Sequence, residues 1–94
     1  MNNEEALQLL EEELATFRDQ PYDDLVRRIS SGSLDYERAA ASAAKYQVEV
    51  QFFWDDRPGG NIRVMGSIDD GGWRAFLPLS RSFIKSADGS FVGE

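Results

Sequence analysis

Three runs of strand-type residues between Tyr46 and Leu79, cut by two turn-rich breaks, restrict the folds open to this chain more than any other feature. In the first run Tyr46, Val48, Val50, Phe52 and Trp54 share one side of a pleat, and Gln47, Glu49, Gln51 and Asp55 share the other. That alternation predicts a half-buried strand over 46–54. Asp55 to Asn61, with Pro58, Gly59 and Gly60 inside it, supplies fixed-φ and positive-φ residues and short polar side chains, so the chain reverses there. In the second run, 62–68, Ile62, Val64 and Ile68 alternate with Arg63, Met65 and Ser67. Gly66 falls on the apolar side and leaves room for a large neighbour or a bulge. Asp69-Asp70-Gly71-Gly72 predicts a second tight reversal. A third strand is expected over 73–78, with Trp73, Ala75, Leu77 and Leu79 on one face and Arg74 and Phe76 on the other. Pro78 ends it or puts it at an edge, because proline has no ladder donor. The three runs read as an antiparallel meander.

Ahead of them stand two helical patterns. Leu7, Leu10, Leu14 and Phe17, flanked by Ala6 and Leu9, recur at helical spacing over about 3–18. Asn2 or Asn3 can cap this helix, with Glu5 placed as in a capping box after Asn2. Pro21 suits the first position of a second helix, 21–31. Asp23 and Asp24 lie in its first turn and Arg27 and Arg28 in its last, each acid four residues before its base, so dipole and pairing effects agree. Leu25, Val26 and Ile29 form its apolar side, and Gly32 can accept a left-handed cap.

Two readings compete over 33–45. The Ala-rich run from Glu37 to Lys45 has helical propensity, but Leu34 and Tyr36 are its only large apolar side chains, so a helix would bury little. The alternative is a short strand, 34–38, entering a hairpin with Tyr46, and this is preferred. The chain is then α+β: two N-terminal helices packed on one face of a three- to four-stranded antiparallel meander. Residues 80–94 are left as a C-terminal tail, pinned to the body by Phe83, Ile84, Phe91 and Val92.

At 94 residues the chain supports one core and not two. Cysteine is absent, which excludes disulfides, thiol chemistry and cysteine-built zinc sites. Histidine is also absent, removing the commonest general base and transition-metal ligand. A formal net charge of -7, with no basic stripe, argues against nucleic acid as a partner. The acidic first residues do not read as a secretory signal and no stretch approaches a membrane span, so a cytoplasmic protein with no membrane partner is expected.

Two surfaces are candidates for function. If the helices cover one sheet face, Phe53, Met65 and Phe76 point the other way, among Arg63 and Arg74. Either the tail packs on these residues, or they form a patch for a protein partner or for self-association. The second candidate is the run Glu11, Glu12 and Glu13, which has no Lys or Arg three or four residues away on its helix. It is read as a solvated helix face or as an acidic docking face for a basic partner.

The chemical signals are weaker. Asp55, Asp56, Asp69, Asp70 and Asp88 are turn aspartates, and the calcium-loop spacing is missing. Successive turns of a meander also lie at opposite ends of the sheet. The serines have neither a histidine base nor a Ser-x-x-Lys pattern, and the glycine pairs lack phosphate-loop spacing. No catalytic residue, metal site or cofactor is assigned. The expected function is that of a non-catalytic protein–protein interaction module. The alternative is a small-ligand or divalent-metal-dependent enzyme using loop carboxylates with Arg57, Arg63, Arg74 and Arg81.

Overall fold

The structure is a computed structural model that describes residues 1–72 and 77–94. Helices α1 (Asn3–Arg18) and α2 (Tyr22–Ser31) precede strands β1 (Leu34–Ala39), β2 (Lys45–Trp54), β3 (Ile62–Asp69) and β4 (Leu79–Lys85). The four strands form one antiparallel sheet in the order β1-β2-β3-β4. α1 lies against β3 and β4, and α2 against β2, both on the same face. The α+β class and the N-terminal helices therefore stand as expected.

Local chemistry explains the helix ends. The Asn2 side chain accepts a hydrogen bond from the Glu5 amide at 3.1 Å, satisfying one of the four donors an N-terminus leaves open. Pro21 is the N-cap of α2 and not its first helical residue, because its ψ of 152° is extended. Gly32 ends α2 at a φ of 88°, a conformation that disfavours side chains with a Cβ.

The core lies between helices and sheet. Ala6, Leu9, Leu10, Leu14 and Phe17 of α1 and Leu25 of α2 meet Tyr46, Val48, Val50, Phe52, Ile62, Val64, Ile68 and Phe83 of the sheet. Each fully buried aliphatic side chain contributes about 1.5–3 kcal/mol. The α1 stripe centres on Ala6 and Leu10, with Leu7 only half-buried. Gly66 falls within this face, and Leu10 and Leu14 sit directly over it. A Cβ at Gly66 would lie 2.7 Å from Leu10 Cδ1 and 3.1 Å from Leu14 Cδ2.

The 33–45 stretch is the hairpin. All six residues of β1 pair with β2, from Leu34 opposite Val50 to Ala39 opposite Lys45. The turn is closed by Ala43 N to Ala40 O (2.9 Å) and Ala40 N to Ala44 O (2.8 Å), with Ala43 at φ 72°. The Ser86–Ser90 turn repeats both hydrogen bonds, but uses Gly89 at φ 89°. A left-handed alanine costs about 1–2 kcal/mol, part of which glycine returns as unfolded-state entropy. Ala43→Gly should therefore raise stability by up to about 1 kcal/mol in urea denaturation, whereas Gly89→Ala should lower it.

The third strand expected over 73–78 falls mainly on residues 73–76, which lie outside those described; Leu77 and Pro78 are not in a strand, Leu77 being 63% exposed. The expectation of a C-terminal tail over 80–94 is corrected. The partner of β3 is β4, inside the segment read as a tail. On its helix side are Leu79, Arg81, Phe83 and Lys85, opposite Ile68, Gly66, Val64 and Ile62, with Arg81 exposed. Two of the four are cationic, so no apolar alternation marks the strand.

Of β4's apolar residues only Ile84 lies on the outer sheet face, opposite Arg63. Phe83 is buried on the helix side, and Phe91 packs edge-on against it with centroids 5.8 Å apart. The Arg18 guanidinium of α1 lies over both rings, at 4.9 and 5.1 Å. Aromatic rings gain most where helix and sheet exclude water, and a second strand-like segment after the Ser86–Ser90 turn delivers Phe91 there, opposite Lys85.

Candidate interaction surface

With both helices on one face, the other face of the sheet carries two differently built ends. Register decides their composition. Across β2, β3 and β4, Phe53 is opposite Arg63 and Arg63 opposite Ile84; one row further in, Gln51 is opposite Met65 and Met65 opposite Ser82. Phe53, Met65 and Ile84 thus form an apolar end around Arg63. Phe53 is 37% exposed, while Met65, Arg63 and Ile84 are half-buried. Arg63 is held in place: its Nε donates to Asp55 Oδ1 at 2.8 Å and its Nη1 to Ser82 Oγ at 3.0 Å. A guanidinium has five N–H donors, so a partner can still be bonded.

Sequence parity alone identified Phe53, Met65 and Arg63 as neighbours. Ile84, expected in a tail pinned to the body, belongs to this face as a strand residue, because the pairing of β4 sets it opposite Arg63. Phe76 and Arg74, assigned to the same face, lie outside the described residues.

The other end of the face is acidic. Asp35 is opposite Glu49 and Glu37 opposite Gln47, with Ser67 and Asp69 continuing the two rows. Asp35, Glu49, Gln47, Ser67 and Asp69 border a shallow depression of about 320 Å³ that reaches Pro78. Burial, then the neighbouring Asp35 charge and a hydrogen bond to it, raise the Glu49 carboxyl above the usual carboxylate range. A raised carboxyl pKa means the folded state holds the proton more tightly. The pair therefore favours folding at low pH and loses that contribution as pH rises through the raised value. Asp35→Asn should bring the Glu49 midpoint part of the way back in a carboxyl NMR titration, leaving the share due to burial. An unchanged midpoint would mean the two carboxyls do not interact.

The three glutamates of α1 do not form one surface. Glu13 turns toward the sheet and pairs with Arg38 of β1, while Glu11 reaches Arg81 of β4 at 3.8 Å on the other side. Glu12 lines a separate hollow of about 200 Å³ with Glu5, Gln8, Leu9 and residues 38–41. Sequence spacing could not show these bases, since Arg38 and Arg81 are brought near by the fold and not by the helix. Glu5 is likewise engaged in tertiary contacts. It accepts from Tyr46 Oη at 2.8 Å and Ser42 Oγ at 2.9 Å, tying the start of α1 to the β1–β2 hairpin.

The loop aspartates are occupied by turn geometry. Asp56 Oδ1 accepts from the amides of Arg57 (2.8 Å) and Asn61 (3.0 Å), and Asp69 and Asp70 accept from Gly71 (2.7 Å) and Gly72 (3.1 Å). Asp88, bonded to both Ser86 and Ser90, titrates down at about 2. The two aspartate pairs flank opposite ends of β3, whose eight residues span roughly 23 Å at about 3.3 Å per step. Among the described residues no three acidic side chains are grouped to hold a metal ion, and no helix is long and apolar enough to cross a membrane. Comparison with protein families, curated proteins and solved structures gave no match.

Proposed function

We propose that the chain is a non-catalytic protein-interaction module whose contact surface is the apolar end of the outer sheet face. The observation that carries this reading is the adjacency of Phe53, Met65 and Ile84 around a positioned arginine, on a face that neither helix covers. Aromatic residues, Met and Arg are the side chains that protein interfaces favour. Phe53 supplies area, and Arg63, already ordered by Asp55 and Ser82, offers a donor whose conformational entropy is largely spent. The partner that fits is a protein with a small apolar side chain seated beside a carbonyl or carboxylate. The alternative, a metal- or ligand-dependent enzyme, would need the loop carboxylates to converge, whereas the two aspartate pairs flank opposite ends of β3.

The test compares Phe53→Ser with the wild type. Because Phe53 is partly exposed, the variant should unfold within about 1 kcal/mol of wild type, as surface substitutions do. In affinity capture it should lose the partner that wild type retains. Sedimentation of both proteins separates self-association from a different partner. Equal capture by both proteins would end the assignment of this face.

A further inference from the structure

The two edges of the sheet are finished differently. At β4, the segment after the Ser86–Ser90 turn returns along the edge. Phe91 bridges to Lys85, and the Val92 amide donates to Ile84 O at 2.9 Å. Among the described residues nothing of the kind is added at β1. β2 is its sheet neighbour, and among the described residues the hydrogen bonds outside the ladders include no backbone group of residues 34–39. β1 is six residues long, contains no proline, and pairs with β2 without a bulge. Such an edge is a template for another strand.

We infer that the β1 edge accepts an extended basic segment of a protein partner as a fifth strand. The two faces of β1 specify the occupant. On the helix side, Leu34 and Tyr36 are half-buried and packed against the core, so an added strand would rest apolar side chains there. On the outer side, Asp35 and Glu37 are exposed, and Asp35 stands opposite Glu49. Lysine or arginine at alternate positions of the added strand would face these acids, the cross-strand arrangement that stabilises a sheet. Main-chain hydrogen bonds would give affinity, and the alternating side chains selectivity.

A second copy of the chain is a poor occupant. In an antiparallel two-fold pairing of β1 with itself, registers centred on Asp35, Tyr36 or Glu37 oppose Asp35 to Asp35, Asp35 to Glu37, or Glu37 to Glu37. Each sets like charges directly across the ladder, which is destabilising. The acids thus protect the edge against self-pairing while leaving it suited to a basic strand.

This inference rests on the reading of the chain as an interaction module, but concerns a different surface from Phe53, and its test keeps the two apart. The probe is an end-blocked peptide of β1's length alternating Lys with Val and Thr, titrated at low salt into ¹⁵N-labelled protein. A control peptide has the same composition with its lysines in one block. The expected result is saturable shifts and slowed amide exchange at residues 34–39, stronger for the alternating peptide. Asp35→Asn with Glu37→Gln should weaken it about tenfold, the scale of two cross-strand charge pairs. Phe53→Ser should leave it unchanged. The inference is overturned if amide exchange at β1 is not slowed, if the blocked-lysine peptide binds equally well, or if the protein alone pairs through β1 in solution. If the peptide fails while capture by wild type still depends on Phe53, only the edge is lost and the module stands.

Discussion

Lys85→Met should cost about 2–4 kcal/mol and lower the thermal midpoint by roughly 10–25 °C, a large share of what a domain of this size has. The Lys85 side chain runs from β4 into the core-facing layer and is 7% exposed. Its ammonium donates to Arg18 O at 2.8 Å and Gln20 O at 2.7 Å, and lies 5.2 Å from the Phe91 ring centre. Arg18 O belongs to the last turn of α1, where carbonyls have no partner within the helix and the helix dipole favours a cation. Methionine fills similar space but donates nothing. Two hydrogen bonds from a charged group, each of the order of 1.5–3 kcal/mol, are then lost, and water can recover only part of the effect. Urea unfolding gives the loss, and amide exchange should quicken first in the last turn of α1. A change below about 0.5 kcal/mol would mean that water replaces the ammonium freely.

The second large effect is expected at Gly66. Valine there should cost about 1–3 kcal/mol or more, because its Cβ alone would stand 2.7 Å from Leu10 Cδ1 and both facing leucines are fully buried. The strand preference for valine over glycine returns at most about 1 kcal/mol. Leu10→Ala by itself should cost about 2–5 kcal/mol through lost burial and the cavity left behind. Combined, the two changes should cost less than their sum by at least 1 kcal/mol or so, since the valine methyls enter the space Leu10 vacates. Additive losses in this double-mutant cycle would contradict the seating of α1 on Gly66.

These two positions also show how legible the fold was. Gly66 was readable: a glycine on the apolar side of a strand pattern implies a large neighbour, though not that the neighbours are Leu10 and Leu14. Lys85 was not readable. A lysine and an arginine on the helix side of β4 hide the alternation by which strands are recognised, and the acceptors of Lys85 lie 65 and 67 residues away. The outer face divides in the same manner. Parity identified Phe53, Met65 and Arg63, while Ile84 joined them only through the register of β4.

What this sequence determined by itself is what depends on neighbours a few residues away. Helix periods and caps, the alternation in β2 and β3, the turn chemistry of the aspartates and glycines, and the α+β class all follow from local spacing and side-chain type. The tertiary structure decided whatever depends on partners distant along the chain. It made Leu34–Ala39 a strand, because pairing with β2 outweighs an alanine-rich stretch's modest preference for helix. It drew Glu11 and Glu13 to Arg81 and Arg38 on opposite sides of α1. It folded the last fifteen or so residues into a strand and its return, placing Phe83 and Phe91 on the helix side and Ile84 on the outer face beside Arg63. Local spacing is written in the sequence; a contact that depends on where two distant segments come to rest is set only when the layers pack.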